Sequence, residues 1–374
     1  MKLNCLSPYF IKYDESELDS VSIDLYVYTG TKTASRPLTP TYVLSSTAID
    51  EVSVFEISEF IKDFFDFNYT NAPYSNVVWV DYVATRIVDG VIQTSDALVS
   101  LAGFYGYGYF MENANPQNES AILMSNRTIV KDEQETLFIP IDSNIATRVS
   151  FLENGYLLYS EAIASAPTTS NNYIKYISSG ILGVNSFKER VLLDSGIYEG
   201  NECSEAKIDC YFLDDTTDIV VEISDKKEVV KIEEGKIEKF KPNSVVFINK
   251  FGAFQKINFF GATEVTKSNS KTSYNRNTLN YSLGSYDDSI HVKKSSLESS
   301  SESWKLNSGY YKEEFNEVFS QLLDSDFVWL NVDDKNVPVN VSSTSLPYKT
   351  QINDNLISYE ITFDLAFNKI NNVR

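Results

Sequence analysis

One histidine in 374 residues leaves no basis for a His-rich metal site. No G-x-S-x-G elbow is present to make that residue, His291, part of a hydrolase triad, so it reads as a solvated loop side chain. Basic residues are scarce as well: 32 Lys and Arg stand against 52 Asp and Glu, a net charge of -20. That balance argues against a nucleic-acid groove and opposes docking on an anionic membrane, since both need clustered cations. Long apolar runs are missing, so there is no candidate for the ~20-residue stretch of a spanning helix. The start, MKLNCLSPYFIKY, lacks the apolar centre of a signal peptide, and the expectation is a chain made and kept in a cytosol. Cys5, Cys203 and Cys210 are an odd number without a repeated short spacing. A Cys203–Cys210 disulfide stays open, but reduced thiols suit that compartment better.

Other chemistry is thin. The glycines of GFYGYGYF (103–110) are not followed by the Lys-Ser/Thr pair of a phosphate loop, and aromatic rings would crowd a phosphate. Acidic doublets occur at Asp214-Asp215, Asp287-Asp288 and Asp333-Asp334, all in apparent turns, and no D-x-D-x-D-G calcium loop exists. With 52 acidic residues, chance doublets are expected. No catalytic residue, metal or cofactor is predicted, and the chain is not read as an enzyme.

What is abundant points to β-structure. Twenty-four Tyr and 23 Phe accompany a hydrophobic fraction of 43%, enough to bury real cores, and aromatic side chains favour pleated surfaces. In VSIDLYVYTG, Val21, Ile23, Leu25 and Val27 share one face, with Ser22, Asp24, Tyr26 and Tyr28 on the other. Hairpins are predicted to turn at Asp89-Gly90, Asn154-Gly155 and Glu234-Gly235. The stretch 357–367 reads as one long half-buried strand, with 337–341 as a partner. Two amphipathic helices are predicted, over 55–67 and 312–324. The first has an apolar stripe of Ile57, Phe60, Ile61, Phe64 and Phe65; the second has Phe315, Val318, Phe319, Leu322 and Leu323.

The predicted fold is therefore mainly β: two or three antiparallel β-sandwich (Ig-like) modules with two short amphipathic helices. The boundaries fall at 1–116, 117–243 and 244–374, with linker-like composition at 111–120 and 164–172. The polar, serine-rich stretch 263–302 has few core positions. It is either disordered or an extended arm laid on a neighbouring subunit.

FINKFGAFQKINFFG (247–261) packs five phenylalanines into fifteen positions. Side chains alternate across a strand, so Phe247, Phe254, Phe259 and Phe260 are not expected to share one core. The surplus suggests a seam between subunits, with burial by a helix of the same chain as the alternative. Phe251, Phe254, Tyr274, Tyr281 and Tyr286 are the candidate interface residues. Tyr105, Tyr107 and Tyr109 could instead stack on a carbohydrate, although glycines between aromatics more often serve packing.

The C-terminal segments VVFINKFGAFQKINFFG, SGYYKEEFNEVFSQLLDSDFVWL, VPVNV and YEITFDLAFNKINNVR resemble virion structural proteins of tailed phages of Bacteroidetes, crAss-like phages included. The N-terminal SPYFIKY, VSIDLYVYTG and VFEISEFIKDFF share that character. The resemblance covers about half of the chain, discontinuously. It implies a tail, neck-ring or baseplate subunit: a homo-oligomer that docks to other tail, neck or portal proteins, located in the virion after synthesis in the host cytoplasm. No active site is implied, nor any contact with nucleic acid or membrane. A carbohydrate-binding adhesion module is the alternative.

Overall fold

The computed structural model describes residues 2–29, 35–67, 69, 77–116, 124–126, 128–130, 136–140, 147–163, 174–178, 218–223, 226–233, 242–277, 279–280, 284–286, 289, 291–333, 335–347 and 356–368. It is mainly β. The chain divides into two units, Met1–Ile237 with Ile248–Lys256, and Glu238–Phe247 with Ile257–Arg374.

The first unit begins with β1 (Lys2–Asn4), β2 (Phe10–Asp14), β3 (Leu18–Tyr28), β4 (Tyr42–Thr47), β5 (Val52–Glu56), α1 (Ser58–Lys62), β6 (Val77–Val88), β7 (Val91–Ile92) and β8 (Val99–Phe104). The main sheet runs β1-β8-β6-β3-β4, with β7 also on β6; β1 and β8 are parallel and the other pairs antiparallel. The alternation in β3 is realised: Val21, Ile23, Leu25 and Val27 are buried, and Val80 and Ala84 of β6 are buried opposite them. α1 packs on this face at Gly103, where an added Cβ would lie 3.2 Å from Ile61 Cγ2. The hairpin at Asp89-Gly90 forms with both residues at positive φ, the requirement of its two-residue turn.

The first helix is shorter than predicted. Val52–Glu56 pairs with β2 as a two-stranded ribbon, Phe55 opposite Ile11, and only Ser58–Lys62 is helical. Glu56 Oε1 accepts from the Ser58 N–H at 2.8 Å, which fixes the start. After Lys62 the chain tightens into turns, with Phe64 N donating to Ile61 O. The stripe survives the shortening, since Ile57 and Ile61 are buried and Phe60 and Phe64 pack on Tyr42.

Further along lie β9 (Thr128–Val130), β10 (Thr136–Pro140), β11 (Thr147–Glu153), β12 (Tyr156–Ile163), β13 (Ile174–Ser178), β14 (Asp218–Ile223) and β15 (Lys226–Glu233). They form a sheet of order β12-β11-β14-β15-β9, whose last pair is parallel, and a separate β10–β13 pair. Asn154 and Gly155 both take positive φ between β11 and β12. The predicted turn at Glu234-Gly235 and the linker-like stretch 164–172 lie outside the described residues. Residues 113–116 are not slack: Asn115 Nδ2 donates to Asn4 O and Ser7 O, and Asn4 Nδ2 donates to Pro116 O.

The second unit holds β16 (Asn243–Ile248), β17 (Phe254–Phe259), β18 (Thr263–Asn275), β19 (Leu279–Asn280), β20 (Ser285–Tyr286), β21 (Lys293–Asn307), β22 (Tyr311–Lys312), α2 (Asn316–Asp324), β23 (Val328–Val332), β24 (Lys335–Val341), β25 (Leu356–Ile357) and β26 (Glu360–Leu365). Seven strands run β17-β16-β23-β24-β26-β21-β18. β17 and β18 are consecutive in the chain yet stand at opposite ends of that order. The link between them bonds to the end of β21, Gly261 N to Asn307 O at 2.9 Å, so the sheet curls until its edges approach. Inside the curl lie Phe247, Phe259, Leu306, Leu330, Ile361 and Phe363, capped by Val318, Phe319 and Leu322 of α2. Each such side chain contributes about 1.5–3 kcal/mol on leaving water. The α2 stripe is the predicted one, preceded by a 3-10 turn at Glu313–Phe315. The predicted strand over 357–367 is interrupted. Ile357 pairs with β22, the backbone of Tyr359 turns to bond with Ser308, and Phe367 is exposed. β24 pairs with β26 as expected, Val341 opposite Phe363.

Candidate functional site

Three regions were candidates for function, and the phenylalanine-rich stretch corrects the sequence reading most sharply. Phe247 and Phe259 are 0% exposed, Phe260 6% and Phe254 7%. None is left over for a neighbouring subunit. Phe247, Phe259 and Phe260 join the core of the second unit, whereas Phe254 packs in the first unit against Phe67 and Tyr69, with centroids 6.0 and 5.3 Å away. Phe254, expected at an interface, is instead buried within its own chain. Phe251 is half-buried, at the turn of the hairpin.

That turn is held from within. Asn249 is buried, and its Oδ1 accepts from Phe251 N at 3.0 Å and Ala253 N at 3.1 Å. Its Nδ2 donates to Gln255 Oε1, Gln255 Nε2 donates to Asn126 Oδ1, and Asn126 Nδ2 donates to Thr128 O. Ser125 donates to the same Gln255 oxygen through both N–H and Oγ. Buried amides of this kind stay folded-in only because each polar atom has a partner.

The tyrosines of GFYGYGYF serve the same packing. Tyr105 is 5% exposed, edge-on to Phe65 and Phe67, so its ring offers no face to a sugar. Tyr107 and Tyr109 are half-buried and set edge-to-face at 5.9 Å, and Lys250 Nζ lies 4.6 Å over the Tyr109 ring. A flat platform of three rings does not form. Gly106 bridges to Phe251, and a Cβ there would meet Lys250 O at 2.6 Å; glycine is what lets the two backbones meet. Lys250 also pairs with Glu112 at 3.1 Å. Burial works to raise the Glu112 carboxyl, but the Tyr109 N–H it accepts, and then Lys250, hold it below its ordinary value.

The third region is the polar stretch 263–302. It is neither irregular nor packed along its own length. β18 and β21 form an antiparallel ribbon from Thr263 opposite Leu306 to Asn275 opposite Lys293, and every residue of β18 is exposed. Thirteen residues of strand reach about 40 Å. The ribbon is anchored at its base, where β21 pairs with β26 over Ser303–Asn307, Leu306 enters the core and Lys305 meets Glu360 at 2.7 Å. Ser300 is still covered. Past it the register shifts between Ser270 and Lys271, and residues 271–277 and 291–296 are exposed. Two cross-strand pairs there are small and polar, Thr272 with Ser296 and Ser273 with Ser295. Of the three candidate tyrosines, Tyr274 is half-exposed on β18, Tyr286 lies in β20, and Tyr281 is outside the described residues.

The charges on this ribbon escaped the sequence reading. Lys267, Lys271, Arg276, Lys293 and Lys294 are all exposed, and none meets a carboxylate among the described residues. Read along the chain they are scattered; only the register gathers them. Elsewhere, His291 is exposed near the end of the ribbon, Cys5 is buried with its thiol pushed well up by that burial, and Asp333 sits in the β23–β24 turn. Cys203, Cys210, Asp214, Asp215, Asp287, Asp288 and Asp334 lie outside the described residues. Compared with known families and with curated proteins, the chain matches no family and no curated sequence.

Proposed function

We propose that the chain is a structural subunit of a bacteriophage tail or neck, built of sandwich-like β modules, that self-assembles into a ring and docks to other virion proteins. The phage assignment draws on the sequence resemblance. The observation that supports an assembly role is the exposed β18–β21 ribbon. Beyond its covered base at Ser300 and Leu306, a two-stranded ribbon exposed on both faces is marginal by itself in water. It gains stability by lying against a second body, and heterologous contacts of that sort close into rings. The ribbon, rather than the phenylalanine-rich stretch, is the proposed seam.

The test is molar mass by light scattering over a wide concentration range, for the full chain and for a variant shortened by joining Lys267 to Glu302 through Asn-Gly. These two residues are register partners, so the anchored base is retained. The full chain is expected to form a discrete multimer, visible as rings by negative stain, and the short variant is expected to stay monomeric. A full chain that is monomeric throughout, or a short variant that assembles equally well, removes the reading.

A further inference from the structure

The distal ribbon is positive in a chain of net charge -20. From Lys271 to its register partner Leu297 the sequence has Lys271, Arg276, Lys293 and Lys294 against Asp287 and Asp288, whereas Glu298 and Glu302 lie nearer the base, Glu302 opposite Lys267. Register sets Lys294 opposite Tyr274 and Lys293 opposite Asn275, so the two lysines fall on different faces. Lys271 falls on the Lys293 side and Arg276 on the Lys294 side, and the cations surround the distal ribbon rather than lining one face.

A carboxylate surface exists at one end of the first unit's main sheet. Three turns meet there, β2–β3, β4–β5 and β6–β7, tied by Glu15 N to Glu51 O, Asp89 N to Glu17 O and Gly90 N to Asp19 Oδ2. They bring together Asp14, Glu15, Glu17, Asp19, Asp50, Glu51 and Asp89. Lys12 pairs with Asp14, and Arg86 pairs with Glu15 and Asp96, which leaves Glu17, Asp19, Asp50, Glu51 and Asp89 exposed and without a cation among the described residues. Among the described residues no three acids converge as metal ligands do.

Edge-to-edge pairing of two ribbons is the obvious competitor. Pairing β18 antiparallel with itself over its full length centres on Asn269 and sets Lys267 against Lys271 of the other strand twice. Like charges directly opposite destabilise a ladder, and lysines on an exposed edge resist such pairing.

Resting on the structural-subunit reading, we infer that the distal ribbon docks by charge on the acidic three-turn end of a second copy of this chain. The contact is heterologous, ribbon to body, and each copy carries one of each. Attraction between exposed charges is screened beyond about 10 Å at 0.1 M salt, so association weakens as salt rises.

The experiment is sedimentation of the full chain at low and high salt, with three variants. One carries Lys271→Glu, Arg276→Glu, Lys293→Glu and Lys294→Glu; one carries Glu17→Lys, Glu51→Lys and Asp89→Lys; the third carries both sets. All are exposed positions, and circular dichroism checks folding. Each single set is expected to weaken association at least about tenfold, and the combined variant to recover it. Salt-insensitive assembly, wild-type association by the ribbon variant, or no recovery in the combined variant overturns the inference. So does retention of labelled single-stranded DNA by the wild type with loss of retention in the ribbon variant, which reassigns the cations to a polyanion. If shortening the ribbon abolishes assembly while charge reversal does not, the inference fails and the subunit reading stands. If shortening changes nothing, the reading itself fails.

Discussion

Replacing Asn249 by alanine strips the hairpin turn of its internal acceptor, and the cost can be worked from its contacts. Two backbone N–H groups, of Phe251 and Ala253, bond to the Asn249 oxygen at 3.0 and 3.1 Å. A buried donor left unmade costs about 1–3 kcal/mol. The third contact, from Nδ2 to Gln255 Oε1, is less consequential, because Ser125 still donates to that oxygen twice. The expected loss is therefore about 2–5 kcal/mol. At a urea dependence of about 2–3 kcal/mol per molar, that moves the midpoint down by roughly 1–2 M. Fluorescence follows it, since Trp79 reports on the first unit and Trp304 and Trp329 on the second. Asn249→Asp is the control: it keeps the acceptor but turns a second oxygen on Gln255 Oε1, and should lose part of the stability. A midpoint shift in Asn249→Ala equivalent to less than about 0.5 kcal/mol would mean that water satisfies those amides, and the account of a turn organised by one buried side chain would be wrong.

Two further outcomes are expected. Because the folded Glu112 carboxyl sits below its ordinary value, its contribution is present above the unfolded-state value and lost as pH falls through the folded one. Glu112 is partly exposed, so Glu112→Gln should cost no more than about 1 kcal/mol near neutrality, and the gap in urea midpoints should close on acidification below the carboxylate range; an unchanged gap refutes the pairing. Cys5, buried with its thiol well above the ordinary range, should resist a thiol-reactive dye in a Cys203→Ser/Cys210→Ser background until the protein unfolds, and prompt labelling would contradict its placement.

Some of this was legible in the residues. Asp89-Gly90 and Asn154-Gly155 turn where expected because few residues tolerate the positive φ that a two-residue hairpin demands. The α2 stripe and the β3 alternation were equally plain, since a periodic apolar face has one use. The 55–67 helix was overextended because its apolar spacing runs on past both ends, while the strand pairing of Phe55 depends on Ile11, a partner distant in the chain. The phenylalanine stretch was misread for a related reason. Alternation tells which side chains part company; it does not say that the chain supplies a core for each set. β18 gave no periodic signal at all, since a strand exposed on both faces has no apolar face to alternate with. Its cations, and the carboxylates of three separate turns, become neighbours only through register and topology.

Residues 248–256 belong to the first unit although they follow it in the chain. A ribosome delivers residues 1–237, and then ten residues of the second unit, before that hairpin emerges. During synthesis Gly106 waits for its bridge to Phe251, and Asn126 waits for Gln255. A fragment ending at residue 243 would thus release the first unit without its own last piece, and a vectorially growing chain completes that unit only once the second has begun.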